Sequence, residues 1–130
     1  MDDMPLTAAA CEAWLLRDVI AATAPGAETP EEARLRAAAI VSLYRGFEPA
    51  TTMEAMLACQ AIALRFVVSR AVRDLSACAA GAKILSGMRA QTNALSKTEA
   101  AVMTRFERLK ARRLAMEKSD AKAGQEAAPV

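Results

Sequence analysis

The chain has 130 residues, 54% of them apolar, with 17 basic and 15 acidic side chains, a net charge of +2 and no histidine. That is the length of one domain with a modest core, and the missing imidazole removes the commonest general base and the usual activator of a Ser or Cys nucleophile. Much of the apolar share is Ala, with only three Phe, one Tyr and one Trp; at roughly 25 cal/mol per Å² of apolar area, such a core gains from burying more against a partner.

The apolar spacing of Cys11, Leu15, Val19 and Ala22, widened by Trp14, Leu16 and Ile20, predicts a first helix over 6–23. "APGAETP" breaks it. Thr29, Pro30 and Glu32 then form a capping-box start for a helix over 30–46. Leu35, Ala39, Leu43 and Phe47 recur at a spacing of four as its inward face, and Gly46 is placed to end it in a left-handed conformation.

Thr51 and Glu54 form a second capping box, which launches "TMEAMLACQAIALRFVVSRAVRDL". Met53, Leu57, Gln60, Leu64, Val67, Ala71, Leu75 and Cys78 recur there at steps of four and three, a heptad-like seam over 52–80. Met88, Thr92, Leu95, Glu99, Val102, Phe106 and Leu109 repeat the pattern over 84–117. An antiparallel hairpin turning near Gly81 or Gly87 is one reading. The other is a single helix through both glycines, at about 1 kcal/mol each. A Gln on the seam either sits buried with a satisfied amide and sets register, or lies half wet at the edge. The expected fold is all-α: one helical domain over 1–118, with a hairpin, two shorter N-terminal helices and a disordered tail over 119–130.

The termini differ in charge. Residues 1–60 carry nine acids and four bases, and residues 61–130 carry thirteen bases and six acids. The ends can pair with each other, or the basic end can meet an anionic partner. Arg105, Arg108, Lys110, Arg112 and Arg113 are the candidate contacts to nucleic-acid phosphates, and the alternative function is that of a nucleic-acid-associated accessory protein using this basic helix. Against them stand the helix C-terminus, which favours cations, and the Arg113/Glu117 spacing of an i, i+4 pair. No aromatic alternates with these bases, so base-specific readout is weakly supported.

Cys11, Cys59 and Cys78 form no CxxC, and Cys and carboxylates show no paired metal spacing. They read as small buried thiols of a reducing compartment, and the acidic "MDDMPL" start is unlike a signal peptide, so a cytoplasmic location is expected. The uncharged stretch 55–64 is ten residues long, where about twenty span a bilayer, so no membrane partner is expected. "GAKILSG" lacks the order of a phosphate-binding loop. No catalytic residue, cofactor or metal is assigned. The expected function is non-enzymatic: a self-associating or partner-binding helical module with a seam of Met53, Leu57, Gln60, Leu64, Leu95, Val102, Phe106 and Leu109.

"PATTMEAMLACQAIA" and "TNALSKTEAAVMTRFERLKARR" resemble the two motifs of a family of small, uncharacterised helical proteins from bacteria. The likeness covers roughly 47–113 and rests on Pro49, Glu54, Ala55, Met56, Leu57 and Gln60 in the first motif. In the second it rests on Asn93, Leu95, Ser96, Lys97, Thr98, Ala100 and Ala101. It implies a helical fold and no specific activity. Family members usually carry a His shortly after the Gln and another in the tail; here Arg65 stands near the first position and the tail is short and Ala-rich.

Overall fold

The structure, a computed structural model, describes residues 8–77 and 81–127. It is all-α: α1 (Ala8–Ala22), α2 (Pro30–Phe47), α3 (Thr52–Ala77) and α4 (Ala82–Ala127). Cys78 and the expected end of the third helix at 80 lie outside the described residues. Gly81 precedes α4, and its carbonyl accepts the Ile84 and Leu85 amides, both at 3.1 Å. Gly87 lies inside α4, so the two glycines differ in role.

α2 begins as its sequence directs. The Thr29 side chain accepts the Glu32 amide at 3.2 Å, and the Glu32 carboxylate accepts the Thr29 amide at 3.4 Å. Its other end departs from expectation. No described glycine has positive φ, and Glu48, at φ 50°, takes the left-handed position and donates its amide to the Arg45 carbonyl at 3.1 Å. The helix therefore runs past Gly46 to Phe47 before it turns.

The inward face of α2 is a second correction. Ile40 and Tyr44 are buried, whereas Leu35 is 67% exposed and Leu43 47%. Arg36 explains the rotation. It donates to both Glu28 carboxylate oxygens at 2.7 and 3.0 Å, to the Thr23 hydroxyl at 2.8 Å and to the Ile20 carbonyl. This fork can be satisfied only with Arg36 turned toward the end of α1, and that orientation carries Ile40 and Tyr44 inward, one helical turn and two turns on. α1 has no base in its own last turn; Arg36 and Arg70, which donates to the Thr23 carbonyl at 2.9 Å, complement that end of the helix instead. Trp14, expected to widen the α1 core face, is 61% exposed.

α3 packs against each of the other three helices, and this position determines its composition. It buries Glu54, Ala55, Leu57, Ala58, Cys59, Ala61, Ile62 and Val68. The alanines let neighbouring helices approach, while Leu57 and Ile62 fill the spaces between Val19, Ile40, Tyr44 and Phe106. A helix covered on several sides has no single heptad seam. Met53 and Val67 are accordingly exposed, at 52% and 42%, and Gln60 is exposed as well, so its amide is solvated and holds no buried register. Thr104 and Arg105, polar residues on the same stretch of α4 as Phe106, are exposed too.

By length and composition α3 could cross a membrane, with a mean hydropathy of 1.5 over its most apolar 18 residues. Its buried, ion-paired Glu54 and its burial among the other helices are compatible with a soluble protein.

On α4 the one-sided pattern holds because, among the described residues, α3 is the helix packed along its length and α2 touches it just at the Phe47 end. From Met88 to Leu109 its heptad residues are buried or half-buried. Phe106 is 4% exposed and meets Phe47 edge-on, with ring centroids 5.0 Å apart and planes at 79°. The expected tail differs from the structure: α4 continues to Ala127, with residues 128–130 outside the described part. Ala, Lys, Glu and Gln extend an existing helix without a new nucleation cost, which outweighs about 1 kcal/mol for Gly124.

Ile40→Ala is expected to cost about 2–5 kcal/mol and Phe106→Ala about 3–5 kcal/mol in denaturant unfolding, with Leu35→Ala and Gln60→Leu within about 0.5 kcal/mol of wild type. Equal losses at Ile40 and Leu35 would mean that α2 faces the other way.

Candidate interaction groove

The first turn of α3 holds an acid that the rest of the fold must satisfy. Glu54 is fully buried. The Thr51 hydroxyl accepts its amide and donates to its Oε2, each at 3.1 Å. Its carboxylate therefore does not close the reciprocal box expected from sequence, in which it would bond the Thr51 amide. It turns instead toward α4, where Arg113 Nε meets Oε2 at 2.7 Å and Nη2 meets Oε1 at 3.1 Å. Burial pushes the Glu54 pKa up, but the hydrogen bonds from Arg113, Thr51 and the Ala50 amide outweigh it, and the carboxyl lies below its ordinary range. The same bonds, with a third to Glu117 at 3.0 Å, raise Arg113.

Lys110, one turn before Arg113, is fixed in the same way. It donates to the Phe47 carbonyl at 2.8 Å, lies 3.8 Å from Glu48 and sits 5.9 Å above the Phe106 ring. Lys110 and Arg113, both candidate phosphate contacts by sequence, are thus half-buried and committed to the end of α2 and to α3, because their charged heads meet acceptors there. Arg105, Arg108 and Arg112 are exposed. Together with Lys97 they fall within roughly 80° of arc on α4, at 100° per residue. None of the four forms an ion pair among the described residues.

Beside the Glu54–Arg113 pair lies a mostly apolar groove of about 370 Å³, walled by Met53 from α3 and by Leu109, Arg112, Met116 and Asp120 from α4. Met53 is 52% exposed and Met116 63%. Beyond Arg113, no helix among the described residues packs on α4: residues 114–127 are all exposed, an overhang of about 21 Å at 1.5 Å per residue. Of the seam residues expected from sequence, Met53 and Leu109 both line this groove. Leu57 and Phe106 are buried in the protomer, Leu64, Leu95 and Val102 are half-buried along the α3–α4 contact, and Gln60 stands apart.

A second, smaller pocket of about 190 Å³ lies between α1, α2 and the start of α3. The buried Tyr44 hydroxyl on its wall lacks a partner at hydrogen-bonding geometry, although Glu12 stands near enough to act on it; burial first and Glu12 second raise its pKa. Neighbouring Cys59 is 4% exposed, with its thiol pushed up to about 11 by burial and then by Glu12 and Asp18. It stays protonated at neutral pH and is a poor nucleophile. Among the described residues no three Cys, Asp or Glu side chains cluster as a metal site.

No family model, curated protein or solved structure matches the chain.

Sequence reasoning missed the Glu54–Arg113 pair because each partner already had a local explanation, one as a cap and the other as half of an i, i+4 pair. The available signal was an acid opening an otherwise apolar helix. Such an acid needs a cation once that helix is buried.

Because the folded pKa of Glu54 is depressed, its stabilising contribution is present above the unfolded value, about 4.3, and is lost as pH falls through the folded value. Arg113→Met should lower the melting temperature at pH 7 more than Glu54→Met does, since it leaves a buried carboxylate unpaired. In that variant burial raises the Glu54 pKa, so its deficit relative to wild type should shrink as the pH is lowered from 7 to 5. A deficit that is constant with pH would show that the carboxylate is not buried alone.

Proposed function

We propose that the protein is a non-enzymatic helical interaction module that self-associates, with α3 and α4 serving as an antiparallel hairpin that presents its contact surface at the end where α3 begins. The observation that carries this reading is the groove between Met53 and Met116, an apolar surface held open beside a fixed ion pair and continued by an unpartnered stretch of α4. Exposed apolar surface rimmed by charge is the usual mark of a protein contact. An Ala-rich core of this size gains from burying it. The family likeness and a cytoplasmic location belong to the same proposal, the first resting on the two motifs and the second on the free thiols of Cys11 and Cys59.

Sedimentation should show a mass that rises with concentration into the micromolar range, and Met116→Asp should hold the protein monomeric with its helicity retained. Met116 is largely exposed in the protomer, so the substitution should change stability by no more than about 0.5 kcal/mol. A wild-type protein that stays monomeric across that range, or an unchanged mass for the variant, counts against the reading.

A second reading rests on a separate observation. Lys97, Arg105 and Arg108 lie unpaired on the outer face of α4, and no acid of α4 before Arg112 shares their arc. That stripe suits a phosphate backbone bound without sequence preference. Heparin retention that collapses with salt and falls in an Arg105→Glu, Arg108→Glu double variant supports it; passage through the column at about 50 mM salt rejects it.

A further inference from the structure

The groove and the overhang lie on the same helix, and their residues are arranged symmetrically about one position. Arg112 and Asp120 both line the groove, and each is four residues from Met116, on opposite sides of it. Leu109 and Ala123 are likewise each seven residues from Met116. Of these, Leu109 is the half-buried groove wall, and Ala123 is an exposed small side chain on the overhang.

We propose, building on the self-association reading, that the groove is filled by the overhang of α4 from a second copy, the two helices crossing antiparallel about a two-fold axis at Met116. In that arrangement Met116 packs on its counterpart, Leu109 meets Ala123 across the axis, and Arg112 faces Asp120 twice. The small side chain at 123 lets the partner helix approach where Leu109 projects. Met53 flanks the crossing and covers the partner's apolar edge.

Charge selects this orientation over the alternative. A parallel, in-register pairing of the same faces sets Arg112 against Arg112 and Asp120 against Asp120, whereas the antiparallel crossing turns both contacts attractive. Arg113 and Glu117, which also border the groove, do not compete. They are paired with each other, and Arg113 is also held by Glu54. The rim charges contribute mainly orientation, and the methionines and Leu109 supply the apolar contact. Each α4 overhang is thereby covered by the body of the other copy, an isologous contact that closes at two subunits.

A charge-swap mixing experiment tests this register. Arg112→Asp and Asp120→Arg are surface substitutions, and circular dichroism should show both proteins as helical as wild type. In sedimentation each variant alone should associate at least about tenfold more weakly than wild type, because both cross-axis contacts become repulsive. Mixed in equal amounts, the two should form a heterodimer, since the introduced aspartate of one variant then faces the introduced arginine of the other, while the retained Arg112 faces the retained Asp120. If wild type dimerises but the single variants dimerise equally well, or their mixture stays monomeric, the register is wrong while self-association stands. If wild type does not associate at all, the broader reading fails and takes this one with it.

Discussion

A buried carboxylate in the first turn of α3 is the constraint around which the rest of the molecule is arranged. Glu54 has no access to solvent, and a charge in that position is tolerated only with close opposite charge and several hydrogen bonds. Arg113 supplies two of those bonds from 59 residues away, and Thr51 supplies the local one. The geometry of that fork sets the register of α4 on α3. Lys110 then reaches the end of α2, Phe106 reaches Phe47, and α4 beyond Arg113 is left to run into solvent.

A second arginine has a comparable role at the C-terminal end of α1. Arg36 binds Glu28, Thr23 and the Ile20 carbonyl, so the α1–α2 corner is held by polar contacts where the chain has little apolar bulk. The Arg36 side chain is raised chiefly by its hydrogen bonds to Glu28, and Glu28 is lowered chiefly by the same bonds. Polar forks between helices give orientation, and the small apolar residues of α3 give proximity. Together they account for a fold whose largest fully buried side chains are Ile40 and Glu54.

This arrangement leaves apolar surface uncovered. Trp14, Leu35, Ile84 and Met116 are each more than 60% exposed, but among them only Met116 borders a groove that also contains a fixed ion pair and two opposite, solvent-facing charges. Scattered exposed side chains are ordinary on a protein surface, whereas a groove with a matched rim has the anatomy of a contact. The overhang of α4 has the same consequence. A helix of 46 residues gains little from its last turns in isolation, and in the proposed dimer those turns gain a surface to pack against.

Helix existence, the break at 24–29, the Thr29 capping box and the inward face of α4 were determined by sequence alone. Each depends on residues within a turn or two of one another, or on a helix packed along one side only. Tertiary structure decided the rest. On α2 two apolar stripes overlap, and the long-range bonds of Arg36 select Ile40 and Tyr44 over Leu35 and Leu43. On α3, coverage by three helices replaces a heptad seam with a broad band of Ala, which exposes Met53 and Gln60. The candidate groove was half legible, since Met53 and Leu109 stand out by spacing. Its charged wall was not, because Glu54 and Arg113 meet only after the chain has folded, and no local periodicity records a contact between residues so far apart.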